Sequence, residues 1–160
     1  MTSNPDFDRR LTLARTVASE AGKLILSYYQ SASLAVDRKR DSSPVTAADR
    51  EAEQLIRARI TCDFPADGVL GEEFGETPGT SGFRWILDPV DGTKSFIHGV
   101  PLFGTLIGLE FEQKCVVGVC HIPALGETAW GGKGLGAWWQ PAGGEVRPAR
   151  VSQVSELKES

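Results

Sequence analysis

The sequence has no apolar run approaching the ~20 residues that a membrane-spanning helix needs, and its N-terminus is polar, with no apolar signal region. It has no surplus of positive charge. Lys and Arg number 17 against 21 Asp and Glu, a net charge of −4, and the one short basic run is Arg38-Lys39-Arg40. That balance argues against a nucleic-acid partner, whose phosphates need a basic patch. Cysteine is scarce: Cys62, Cys115 and Cys120 are odd in number and show no Cys-x-x-Cys spacing. Neither His98 nor His121 has a partner at ligand spacing. Zinc and a disulfide framework are therefore not expected. Buried free thiols in a reducing cytosol are, and with them a soluble cytoplasmic protein with no membrane partner. There is no internal repeat and no linker. At 160 residues, 41% hydrophobic and 24% charged, the chain reads as one globular unit able to bury a real core.

What is present is organised around Trp85-Ile86-Leu87-Asp88-Pro89-Val90-Asp91-Gly92-Thr93-Lys94-Ser95-Phe96. Trp85, Ile86 and Leu87 read as a buried strand. Asp88-Pro89 and Asp91-Gly92 then mark a tight turn, and Thr93 to Phe96 can begin a short helix. Such a strand end places Asp88 and Asp91 side by side at a sheet edge, next to the backbone N–H groups of Gly92 and Thr93. Adjacent carboxylates repel unless they are solvated, one is protonated, or a cation lies between them. N–H groups at a helix start favour an anion. Carboxylates beside an anion cradle point to a hard divalent cation bridging protein and phosphate. Taken alone, the stretch reads equally as an acidic surface turn.

The flanking segments supply more acids. Leu11, Ala14, Val17, Ala18, Ala21, Ile25 and Tyr28 recur at helical spacing from Asp6 to about Tyr29. Leu34 to Arg40 reads as a short strand, where Lys39 either reaches toward an anion or lies on a solvated face. Thr46, with Asp49 three residues on, signals a capping box opening a helix to about Thr61. Asp49 either caps that helix or stands behind a metal site. Val69-Leu70 followed by Gly71-Glu72-Glu73 repeats the pattern of an apolar strand ending in acids. Neighbours on an extended chain point to opposite sides, so the two glutamates cannot easily both be ligands. Phe74 to Gly82 reads as a mobile loop able to flex over the site. Leu102 to Phe111, Lys114 to His121, Glu127 to Gly131 and Ala137 to Trp139 read as strands of an antiparallel meander. The expected fold class is α+β, with two long helices packed on a mostly antiparallel sheet.

Three stretches carry a resemblance: Pro44-Val45-Thr46-Ala47-Ala48-Asp49, Gly71-Glu72-Glu73 and Asp88-Pro89-Val90-Asp91-Gly92-Thr93. In this order and spacing they resemble the inositol monophosphatase family of magnesium-dependent phosphatases. The run from Asp88 to Ile97, then Gly99 to Thr105 and Ile122 to Thr128, is most similar to the histidinol-phosphate phosphatases of that family. Lys94 also occurs in similar positions in nucleotide bisphosphate phosphatases. The resemblance implies a layered fold and phosphomonoester hydrolysis, on histidinol phosphate in the first instance, with inositol monophosphate or a nucleotide bisphosphate as alternatives. It implies that Glu72, Asp88, Asp91 and the Val90 carbonyl bind two Mg2+ ions. Glu72 and Thr93 would position the attacking water, with Asp49 supporting the Thr93 hydroxyl. Lys39, Glu72, Asp91, Gly92 and Thr93 would face the phosphorylated substrate. The resemblance covers the N-terminal portion of a family member, because Val151 to Leu157 resembles the stretch before the family's C-terminal half. A missing C-terminal layer is therefore expected, with a homodimer, a complementing C-terminal half, or an inactive metal- and phosphate-binding fragment as its consequence.

Overall fold

The stripe of Leu11, Ala14, Val17, Ala18, Ala21 and Ile25 is wholly buried along helix α1, Pro5–Tyr28. A second stripe, Ala48, Ala52, Ile56 and Ile60, is buried along α2, Ala47–Asp63. The computed structural model describes residues 5–31, 36–38 and 44–154. The two helices pack on each other, α1 over the middle strands of a sheet and α2 over its acidic strand.

The strands are β1 (Val36–Arg38), β2 (Pro44–Thr46), β3 (Gly68–Gly71), β4 (Gly75–Thr77), β5 (Phe83–Asp91), β6 (Gly104–Phe111), β7 (Lys114–Ile122), β8 (Glu127–Gly132), β9 (Gly136–Gln140) and β10 (Arg147–Pro148), with a short helix α3 (Thr93–Ile97) after β5. β1 and β2 form a separate pair, and the other eight form one sheet in the order β10-β9-β8-β7-β6-β5-β3-β4. Every neighbouring pair in that sheet is antiparallel except β3 with β5, which is parallel. The meander and the mostly antiparallel α+β layering match the sequence expectation. Both long helices lie on one face. The opposite face presents Leu106, Cys120, Ala129 and Trp139, which pair in register across it, and among the described residues no long helix packs there.

Four expectations are corrected. The thiols are not buried: Cys62 and Cys115 are exposed and Cys120 is half-buried. The apolar strand does not end at Leu87: β5 runs on through Pro89 to Asp91, so only Gly92 makes the turn. β5 is also an interior strand, and its acids stand at its C-terminal end rather than on an edge strand. The segment 74–82 is not a free flap. Residues Gly75–Thr77 form edge strand β4, and the N–H groups of Thr80 and Ser81 both donate to the Ala66 carbonyl, at 2.8 and 3.1 Å.

Asp67, which with Gly68 makes a dipeptide typical of turns, is a buried hub. Arg10 forks onto it through Nε and Nη2, at 2.8 and 2.9 Å, while Ser81 Oγ and Trp85 Nε1 donate at 2.6 and 2.9 Å. The Arg10 guanidinium also stacks 3.7 Å from the Phe83 ring centre and 4.2 Å from that of Phe64. This network clamps α1 to the strands beneath it.

Two outcomes are expected. Leu87, 2% exposed, should cost about 2–5 kcal/mol of unfolding free energy when cut to alanine, measured by urea denaturation. Burial alone would raise the Asp67 carboxyl, but its bonds from Arg10, Ser81 and Trp85 and the Arg10 charge outweigh that and hold it below its ordinary 3.8. The folded chain therefore releases this proton more readily than the unfolded one. Its stabilisation is complete above 3.8 and is lost as pH falls through the lower folded value. Asp67→Asn should flatten the acid limb of the stability curve; an unchanged acid slope would refute the role.

Candidate functional site

Parallel strands end on the same side of a sheet. Gly71 at the end of β3 is registered with Leu87 of β5, and the Glu72 N–H donates to the Leu87 carbonyl at 3.2 Å. The next residues along both strands, Glu72 and Asp88, therefore meet, and their carboxyl groups share a hydrogen bond. Register alone brings together the two acidic strand tips that the sequence shows sixteen positions apart.

Asp91 joins them through a bulge. Side chains alternate along a regular strand, so residues three apart face opposite ways. Against β6, however, Asp88 pairs with Leu106 and Asp91 with Gly104, which leaves one extra residue on β5. The bulge re-aims the strand and is where Pro89, which has no N–H to offer the ladder, is tolerated. Thr105 Oγ1 holds it by donating to the buried Pro89 carbonyl at 2.9 Å. Gly92 then turns the chain with φ 82° and ψ 36°. A side chain there would meet the Leu102 carbonyl at 3.1 Å as well as an unfavourable backbone.

Thr93 opens α3, and its hydroxyl lies 3.1 Å from the Val90 carbonyl and 3.4 Å from Asp49 Oδ1. The other oxygen of Asp49, Oδ2, accepts the backbone N–H and the hydroxyl of Thr46 at 2.8 and 2.6 Å. Asp49 is thus both the capping-box acid of α2 and a neighbour of the site. Glu72, Asp88, Val90, Asp91, Gly92, Thr93 and Asp49 converge in one region. Lys39 lies outside the described residues. The backbone N–H of Glu73 donates to Glu53 Oε2 at 2.7 Å. Glu53, fully buried on α2, escaped the sequence reading. Its signal is an acid inside the apolar stripe, one turn after Asp49.

The electrostatics are those of crowded anions. The Asp88 carboxyl is pushed up to about 7, first by burial, then by the charge and hydrogen bond of Glu72, then by Asp91 and Asp49. Its Oδ1 is buried with no hydrogen-bond partner. An orphaned carboxylate oxygen among repelling acids suits a hard cation. Among the described residues no three Asp, Glu, His or Cys side chains close into a ready metal cage. Magnesium does not require one, because it binds through one or two carboxylates and completes its shell with water and substrate phosphate. The residues present fit that ion.

Residues 6–160 match the inositol monophosphatase family. A histidinol-phosphatase of Chlorobaculum parvum is 51% identical over 146 residues, which is 91% of this chain and 54% of that protein. One of Mycobacterium tuberculosis is 42% identical over 147 residues, 92% of this chain and 56% of that protein. Among solved structures, the extragenic suppressor protein suhB of Bartonella henselae superposes with a TM-score of 0.84 at 33% identity, covering 93% of this chain and 57% of that one. The chain spans a little over half the length of each of these three proteins.

The crowding makes a pH prediction for the cation-free protein. An unfolded Asp88 loses its proton near 3.8, whereas the folded one holds it to about 7. Between those values the folded state binds more protons, so this residue's contribution to stability falls as pH rises. Asp88→Asn should remove that fall, and the variant should gain on the parent from pH 4 to 8 in urea unfolding with chelator present. Parallel pH profiles for the two proteins would contradict the crowding.

Proposed function

The chain belongs to the inositol monophosphatase family, and from that premise we propose that it serves magnesium-dependent hydrolysis of a small phosphomonoester at the Glu72–Asp88–Asp91 cluster. The observation that carries the reading is the partnerless Asp88 oxygen, buried among acids that keep its carboxyl up to about 7. Glu72, Asp88, Asp91 and the Val90 carbonyl would hold two ions, Asp88 being the shared ligand. Bound there, magnesium supplies charge neutralisation for the phosphate and a lowered pKa for the attacking water.

The chain's own groups do the rest. Asp49 Oδ1 is placed to accept the Thr93 hydroxyl proton, which leaves the lone pairs of Thr93 Oγ1 to accept from a water. Glu72 offers that water a second acceptor. Together they would orient it for in-line attack, a positioning effect worth several orders of magnitude in rate. The backbone N–H groups of Gly92 and Thr93, after the left-handed turn, would take phosphate oxygens. Lys39 enters as a substrate-side cation on sequence grounds alone. Histidinol phosphate is the proposed substrate, supported by three relatives named histidinol-phosphatase.

The test is phosphate release from histidinol phosphate, inositol monophosphate and a nucleotide bisphosphate, with and without Mg2+. Release should need Mg2+ and be fastest on histidinol phosphate. Asp91→Asn should lower it by more than the ~10–100-fold typical of losing a residue behind a ligand, while thermal unfolding stays near the parent's. Full activity in Asp91→Asn would remove it from the ligand set. Metal binding without turnover on any substrate would favour a binding module.

A further inference from the structure

We propose that Glu53 is a positioning residue: from inside the core it grips the turn after β3 and so fixes Glu72 against Asp88. The inference rests on the metal-site reading above and assigns to that site a residue that touches neither metal nor substrate. Glu53 is fully buried. Its Oε2 accepts the Glu73 N–H at 2.7 Å, and its Oε1 accepts the Phe74 N–H at 3.3 Å and Arg57 Nε at 2.7 Å. Arg57 continues outward, its Nη1 donating to Thr77 Oγ1 at 3.1 Å and its Nη2 to the Gly75 carbonyl. One ion pair on α2 thus holds the backbone of residues 73–75 and the hydroxyl of Thr77. On the near side, the Glu72 N–H is fixed to Leu87 of β5. Glu72 therefore sits between two backbone clamps, one from the sheet and one from the helix.

Gly71 shows how close the grip is. A Cβ at that position would fall 1.9 Å from Glu53 Oε1 and 2.3 Å from its carboxyl carbon. Only a residue without a side chain lets the carboxylate reach under the turn. A Glu–Arg pair one helical turn apart stabilises an exposed helix by a few tenths of a kcal/mol and needs no burial to do so. Burying this one costs desolvation, which is offset only when every lone pair finds a donor. Here the donors are the backbone of the turn that carries Glu72, so the buried charge specifies where that turn lies.

The experiment measures Mn2+ binding by electron paramagnetic resonance and amide hydrogen exchange on the full chain. The variants are Glu53→Gln, Glu53→Ala, Gly71→Ala, the Glu53→Ala/Gly71→Ala pair, Arg57→Ala and Asp91→Asn. Glu53→Gln places an amide group where a donor already points. It should speed exchange at Glu72, Glu73 and Phe74, leave the β5 and β6 amides protected, and weaken Mn2+ by ~10–100-fold. Gly71→Ala should do the same with Glu53 intact, and combined with Glu53→Ala it should be no worse than the weaker-binding single variant. If Glu53→Gln does not fold, Gly71→Ala and Arg57→Ala decide alone. Faster exchange spread evenly over β5 and β6 would mean that Glu53 only stabilises the fold. A loosened turn with unchanged Mn2+ affinity would mean that the turn does not set the site. Either result overturns the proposal. Asp91→Asn separates the two readings, because it should lose Mn2+ with the turn still protected. A parent chain that binds no Mn2+ overturns the metal site itself and, with it, this role for Glu53.

Discussion

Glu72 and Asp88 repel each other, and they stand together because β3 and β5 run parallel inside a sheet whose other pairs are antiparallel. A parallel pair cannot be closed by a tight hairpin. The chain must leave the end of β3, return along its outer side as β4, and cross beneath to start β5. That path explains why segment 74–82 is tied down, with Thr80 and Ser81 on Ala66 and Ser81 on Asp67. It also explains why the strongest buried contacts cluster at the start of β5, where Phe83 and Trp85 meet the Arg10–Asp67 fork. The apolar half of β5 secures the register, and the acidic half depends on it. A slip of one residue would turn every side chain of the strand to the other face.

The bulge answers a geometric difficulty of the same kind. Two acids three residues apart on a regular strand would face opposite sides of the sheet. The extra residue between Asp88 and Asp91 brings both into one electrostatic neighbourhood, and proline at the bulge forfeits no ladder bond. The local rule that proline disrupts a strand is broken just where the strand has to be re-aimed.

Much of this was legible in the sequence, for definable reasons. The apolar stripes of α1 and α2 and the alternation of β6 to β8 leave periodic signals. Thr46 and Asp49 form a capping pair whose spacing can be read directly. The acids before and after the Val90 step stand in a motif compact enough to be seen without a structure. What stayed hidden lacks a local signal. Gly75, Glu76 and Thr77 are all exposed, so β4 shows no alternation. Asp67-Gly68 has the look of any turn, and only the distant Arg10 makes its aspartate a core residue. Glu53 is an acid in an otherwise ordinary helix, and the backbone groups it binds lie twenty and twenty-one residues away along the chain. Pro89 pointed to a turn because proline is usually a strand breaker, and the bulge that accommodates it is a property of the pairing with β6.

Asp49 uses its two oxygens for two purposes: Oδ2 for the start of α2, and Oδ1 for the Thr93 hydroxyl. Helix ends fray, and their opening is among the lowest-energy local motions a domain has. Here fraying is not a private event of the helix. When the first turn of α2 opens, Asp49 leaves and the Thr93 hydroxyl keeps only the Val90 carbonyl as acceptor. When Thr93 is engaged, the helix end is held shut. Backbone relaxation at Thr46 to Asp49 is therefore a remote gauge of how well the hydroxyl is aligned.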